Sequence, residues 1–467
     1  MNFYIFLISC PVIYQYTTLK TTIMEGYKEP LFTPVEVTKR IVSIDILRGI
    51  AVFGILLMNI AGMGLPPPAY GDPSIAGGAE GWNLNVWIMN NLFFEGTMRA
   101  IFSMLFGAGF ILLTTRIEAK GGGAVTADVY YRRTIWLLIF GLVHGYLFLW
   151  VGDILYSYGL MGMFLYPFRN VTPYKLFLAG LVLLIIGSTL DIKDYFADKE
   201  TLRKSIIAQA SIDKGEEPEK EYKKALEAWK AIEERAKPSQ EEIDERIESR
   251  HKGYFSIVKT LAPINATFQS EFSYRYDVWD ILSMMLIGIA LFRYGVFKAE
   301  KSYRFYWMMV LIGYPIGVGI NLYETNLIIS NNFEIMAFNK AGMTYNIGRF
   351  FTAMGHVGLV MIFCKANILH GLAKRLAAVG KMALTNYIMH TVITGIIFFG
   401  FGFSMFGKLE RHQLYYIVIG IWILQLILSP LWLKYFKMGP LEWFWRWLIY
   451  KQKPELAKHS PMKSENS

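Results

Sequence analysis

Apolar positions in this chain fall into long runs separated by short polar turns. Crossing a bilayer core of about 30 Å at about 1.5 Å per residue takes about 20 apolar residues in a helix. Runs of this kind lie near 44–64, 86–115, 134–150, 154–168, 175–190, 277–295, 303–322, 345–365, 383–403 and 413–434. The second is long and interrupted by polar residues. The third and fourth are short and meet at the turn Trp150-Val151-Gly152-Asp153. The pattern predicts an all-α fold, a polytopic integral membrane bundle of about ten transmembrane helices.

One block breaks the pattern. Residues 191–252 hold 14 Lys/Arg and 17 Asp/Glu with almost no long apolar run. They read as a charged, soluble helical insert with a break at Lys237-Pro238-Ser239. Ser239 followed three residues later by Glu242 has the form of a capping box. The expected organisation is an N-terminal extension over 1–23, with Met24 as the natural start, then a membrane half over 24–190. The insert 191–252, a second membrane half over 253–450 and a tail over 451–467 follow.

Charge then orients the bundle. Lys and Arg cluster in alternate loops: Lys28, Lys39 and Arg40; Arg116, Lys120, Arg132 and Arg133; Arg293, Lys298, Lys301 and Arg304; Lys365, Lys374, Arg375 and Lys381; Lys434, Lys437, Arg446 and Lys451. The intervening loop 65–85 has none. Loops rich in Lys and Arg stay in the cytoplasm. Both termini are therefore expected there, with the insert on the far side of the membrane.

Composition agrees. The 467 residues are 54% hydrophobic and only 18% charged, against roughly 25% charged in soluble domains. The net charge of +10 reads as orientation charge, not as a nucleic-acid footprint. Two cysteines, Cys10 and Cys364, are too few for a disulfide framework or a cysteine-rich metal site. No phosphate-binding glycine loop, dinucleotide fingerprint or Cys/His metal pattern is present.

The residues that can carry chemistry are the ionisable ones at membrane depth, where each charge needs a partner or a cavity. Asp45 and Arg48, three apart, share a helix face: a local ion pair, or an acid that holds Arg48 toward an anionic group such as a phosphate. Glu95 and Arg99, four apart, are placed to neutralise one another or to line a passage, with Gly96 between them able to break the helix. His144 is either a hydrogen-bonded packing residue or a general base oriented by Asp153. Asp277, Asp280 and Glu324 read as solvated rim carboxylates. The many aromatic residues read as interfacial belts.

The segments Asp45-Ile46-Leu47-Arg48-Gly49, Leu57-Met58-Asn59-Ile60, Phe102 to Phe110, His144 to Asp153, Met382 to Tyr387 and Gly439 to Arg446 resemble the bacterial YeiB-like family, domain of unknown function 418. The resemblance runs from about Ile41 to Tyr450. That family is distantly similar to transmembrane acyltransferases, including heparan glucosaminide acetyltransferase, which share an Asp-x-x-Arg-Gly pattern matched here by Asp45, Arg48 and Gly49. Those enzymes carry an essential His soon after the first span. This chain has no His before His144, so His144 takes that role or the chemistry differs.

The resemblance implies transfer of an acyl group from a cytoplasmic thioester, an acyl-coenzyme A-like donor, to an extracytoplasmic glycan or lipid. In that reading Arg48, Arg132 and Arg133 attract the donor's phosphates. His144, with Asp153, is the catalytic base. Asp45, Glu95, Arg99 and Asn386 line or support the passage. The alternatives are a transporter or lipid-handling permease without covalent chemistry, and a structural protein whose insert docks a partner.

Overall fold

The computed structural model describes residues 40–458. The expectations for the 1–23 extension, the Met24 start, Lys28, Lys39 and Cys10 lie outside the described residues. What is described is almost wholly helical, and six helices are long and apolar enough to span a bilayer: α1 (Val42–Gly64), the broken pair α2 (Gly81–Phe93) and α3 (Thr97–Glu118) counted as one, α6 (Pro173–Asp213), α11 (Tyr303–Ser330), α12 (Ile335–Ala366) and α15 (Arg411–Tyr435). α14 (Ala383–Phe398) is a shorter apolar helix.

The fold is thus an all-α polytopic membrane bundle; among the described residues six helices meet the length and composition of a span, and the expected count of ten is not confirmed. Besides the short α14, the other expected runs are shaped as follows. The expected third span is α4 (Ala124–Tyr146), whose first half carries Asp128, Arg132 and Arg133, and the fourth is only α5 (Leu155–Met163). The expected sixth lies inside a continuous helical run made of α9 (Tyr254–Thr267), a π-helical stretch (Phe268–Leu282) and α10 (Ser283–Arg293).

α1 is the most buried of the spans and packs against α3, α12, α13 (His370–Lys381), α14 and α15. Gly49, of the Asp-x-x-Arg-Gly segment, faces Gly380 of α13. A Cβ on Gly49 would stand 2.2 Å from the Leu376 carbonyl oxygen, and one on Gly380 would stand 1.8 Å from that of Asp45. Small residues of this kind let membrane helices approach closely. Around this centre α6, α11 and α15 present apolar residues outward, among them Ile185, Leu311 and Ile423, each more than half exposed. Helices satisfy their own backbone groups, so these faces are suited to lipid.

α6 passes through Asp191 without interruption and runs on to Asp213. The remainder of the insert is α7 (Lys220–Ala236) and α8 (Gln240–Arg250). The capping box at the start of α8 forms as expected: Glu242 N–H donates to Ser239 Oγ at 3.3 Å, and Ser239 N–H donates to Glu242 Oε2 at 3.0 Å. The bundle therefore has a basic end, with Arg48, α13 and α16 (Pro440–Tyr450), and an insert end, where α8 meets the 399–407 loop. There Gly400 N–H donates to the Arg250 carbonyl at 2.9 Å.

Candidate functional site

His144 lies near the end of α4, with its side chain fully buried. The chain turns back over residues 147–153 and enters α5. This fold-back brings Asp153 to His144, nine positions away in sequence. Nδ1 of His144 donates to Asp153 Oδ1 at 2.7 Å, and Tyr156 N–H donates to Asp153 Oδ2 at 2.8 Å. The carboxylate fixes the Nδ1–H tautomer. Nε2 is then an acceptor, and it receives the hydroxyl of Thr391 at 2.8 Å. The lone pair of Nε2 is thereby aimed at α14.

Close approach of α4 and α5 is what permits this pairing. A Cβ at Gly141, one turn before His144, would lie 2.2 Å from Tyr156 N and 2.6 Å from Asp153 Oδ2.

Two cavities converge on the pair. At the insert end a cavity of about 520 Å³ is lined by Asp153 and Thr391, the two partners of His144, and by Glu95, Arg99, Asp277 and Arg250. From the basic end a second cavity of about 270 Å³ is lined by Arg40, Arg48, Arg116, Arg133, Lys381 and Arg446, with Asp45 and Glu442 among them. Its inner wall includes Tyr387, whose ring packs edge-on to His144 at 5.0 Å between centroids. The Tyr387 hydroxyl accepts from Ile154 N–H at 3.3 Å. The rings of Tyr387 and His144 thus separate the two spaces.

Other expected site residues are placed as follows. Arg48 donates to Asp45 Oδ1 at 3.1 Å, and Arg40 stands 3.6 Å from Asp45 Oδ2. Arg133 lies over the Trp445 ring at 4.8 Å, inside the basic cavity. Arg132 is not there: it pairs with Asp128 one turn earlier on α4. Asn386 is fully buried but lines neither cavity. It donates to the Val379 carbonyl at 3.0 Å and to Ser429 Oγ at 3.1 Å, tying α14 to α13 and α15. His390 bonds Gln425 at 3.1 Å, and His356 bonds Tyr314 and the Phe93 carbonyl at 2.7 and 2.8 Å. Both are packing histidines.

Four carboxylates depart from expectation. Glu95 and Arg99 do not neutralise one another. The helix breaks between them at Gly96, whose φ of +64° favours glycine and whose Cβ would meet Tyr345 Oη at 2.2 Å. Glu95 instead accepts from Tyr70 at 2.7 Å and Tyr345 at 3.4 Å, while Arg99 bonds Asp280 at 2.8 Å. Asp280 is no solvated rim residue, since Arg349 also bonds it, at 3.0 Å, from a side chain only 1% exposed. Asp277 and Glu324 are buried too; Thr344 donates to Glu324 at 2.6 Å. The π-helical stretch sets Asp277 on the cavity wall and Asp280 between two arginines. Among the described residues no cluster of His, Cys, Asp and Glu suits a metal ion.

Thr391, Tyr387, Arg349 and Glu442 are the contributors that spacing alone does not reveal. Glu442 opens α16 and receives Leu384 N–H, Thr385 N–H and Thr385 Oγ1 at 2.6–3.1 Å, capping α14 from across the basic cavity.

Comparison with known proteins places the chain in a family. The family model described as "Protein of unknown function (DUF418)" matches residues 291–452. The uncharacterized protein YeiB of Escherichia coli is 30% identical over 428 residues, covering 90% of this chain and all of that protein. The chain belongs to the YeiB-like DUF418 family. A second relative, the uncharacterized protein YxaH of Bacillus subtilis, is 28% identical over 91% of this chain and 98% of its own length. The DUF418 match takes in α11 to α16 and most of the basic cavity's far wall, whereas His144 and Asp153 fall in the region covered by the full-length relatives. No solved structure matches the chain.

Proposed function

We propose that this DUF418 protein transfers an acyl group from a thioester donor, bound in the basic cavity, to an acceptor in the insert-end cavity. The observation that carries the reading is the position of the His144–Asp153 pair between two spaces that open toward opposite ends of the bundle. A cavity lined by six Lys and Arg side chains suits a phosphate-rich donor such as acyl-coenzyme A. Arg48, steadied by Asp45, and Arg133, held over Trp445, are the residues that hold its phosphates. The basic end is then the cytoplasmic face of a bacterial cytoplasmic membrane, by the same charge rule that orients other membrane proteins.

The step is a direct displacement. Thr391 gives its hydroxyl proton to His144 Nε2 while it receives the acceptor's proton. The acceptor oxygen or nitrogen bonds to the thioester carbonyl carbon, and the carbon–sulfur bond breaks. The leaving thiolate takes the proton back from the imidazolium. Asp153 stabilises that imidazolium and holds the productive tautomer. The Tyr387 hydroxyl, whose oxygen already accepts from Ile154, has its own proton to offer the carbonyl oxygen as charge develops there.

Titration of the purified protein with acetyl-coenzyme A tests the assignment. Arg48→Ala and Arg133→Ala should each weaken binding about tenfold, the scale of one charge-assisted contact. His144→Gln should bind normally and release thiol about 10²–10⁴-fold more slowly, the usual worth of a general base. Absence of binding by the unaltered protein, or thiol release by His144→Gln at the unaltered rate, overturns the reading.

A further inference from the structure

The charged insert delivers one side chain to the cavity it overhangs. Arg250, the last residue of α8, lines the insert-end cavity and is only 6% exposed. Its guanidinium has a single weak hydrogen bond, to Ser249 Oγ at 3.4 Å, and lies 5.8 Å above the Phe406 ring. Among the described residues no carboxylate forms an ion pair with it. Burial pushes it down to about 10, which leaves it charged at neutral pH. The other two buried arginines are partnered: Arg349 pairs with Asp280, and Arg411 donates to the Ala69 carbonyl. A desolvated cation without an anion is costly, and here it faces open space.

The same cavity also has apolar lining residues, Leu261, Ile264, Phe268 and Phe272 among them, beside the polar ones named above. Ile264 and Phe272 line the cavity from α9 and the π-helical stretch and are 39% and 37% exposed. Phe268 stacks on Phe272 at 4.5 Å between them. Apolar lining of this kind suits the acyl chain of a lipid.

We infer that the insert-end cavity is a binding site for an anionic lipid, its phosphate or carboxylate on Arg250 and its chain across Ile264, Phe268 and Phe272. This deepens the acyl-transfer reading, on which it rests only for the role of that lipid as acceptor: a headgroup held by Arg250 sits in the same space as Thr391 and Asp153. The insert then acts as an arm that closes the headgroup site.

Binding can be tested without any transfer. The full-length protein is placed in phosphatidylcholine nanodiscs containing a minor fraction of phosphatidylglycerol, and lipid retained on extraction is read by native mass spectrometry. The unaltered protein should retain phosphatidylglycerol over phosphatidylcholine. Arg250→Gln should lower that preference at least about tenfold, Arg250→Lys should largely keep it, and Phe272→Asn should reduce retention while leaving the fold intact by circular dichroism. No preference in the unaltered protein, or a preference that survives Arg250→Gln, overturns the site. Soluble glycerol phosphate that competes as well as the lipid overturns the lipid assignment. A preference that is present in a protein inactive toward thioesters sinks the acyl-transfer reading and leaves the lipid site standing.

Discussion

Gly141 carries as much of the candidate site as His144 does, because a methyl group there would occupy the place of Asp153 Oδ2. Gly141→Ala should push α5 away, destabilise the protein by about 1–3 kcal/mol as overpacking does, and slow thiol release far more than that loss of fold explains. Thermal unfolding beside a thiol assay separates the two effects. The His144–Asp153 pair itself was only half legible. Nine positions do not stack on a helix, so sequence offers the two residues without their contact. The contact is made by the turn at 147–153. Thr391 stands 247 positions away from His144, and no local pattern could mark it. Tyr387 lies inside a segment that resembles the family, yet its place beside His144 depends on how α14 packs.

Among the elements, the break between α2 and α3 and the π-helical stretch redirect charge in ways that regular helical spacing conceals. The i,i+4 logic that pairs Glu95 with Arg99 assumes an unbroken helix. Gly96 removes that assumption, and the two side chains go to different partners: Glu95 to tyrosines, Arg99 to Asp280. Arg99, Arg349 and Asp280 then join α3, α12 and the π-helical stretch. Removal of one member strands a buried charge, which commonly costs about 3–5 kcal/mol. Arg349→Met should therefore destabilise strongly. Asp280→Asn added to it should cost less than the two single changes summed, as a double-mutant cycle by thermal or denaturant unfolding will show. Long apolar runs gave away α1, α11, α12 and α15 directly. The short α5 lies inside the expected run 154–168, but with nine residues it draws its place from packing on α4.

On the scale of the molecule, charge asymmetry and two cavities describe one arrangement. Arginines and lysines gather at one end around the smaller cavity, and Arg250 of the insert lines the larger one at the other. The all-helical membrane fold was legible because the bilayer constrains composition strongly. The cavities were not, because a void is defined by residues far apart in sequence.

The central claim is that acyl groups cross from one cavity to the other at His144. Membrane vesicles of known sidedness, supplied with acyl-labelled coenzyme A, test it most directly. Inside-out vesicles, with the basic end toward the donor, should move label into the lipid or glycan fraction, right-side-out vesicles should not, and His144→Gln should abolish the transfer while the protein remains folded. Label that fails to move in inside-out vesicles, or that moves equally with His144→Gln, would contradict the account.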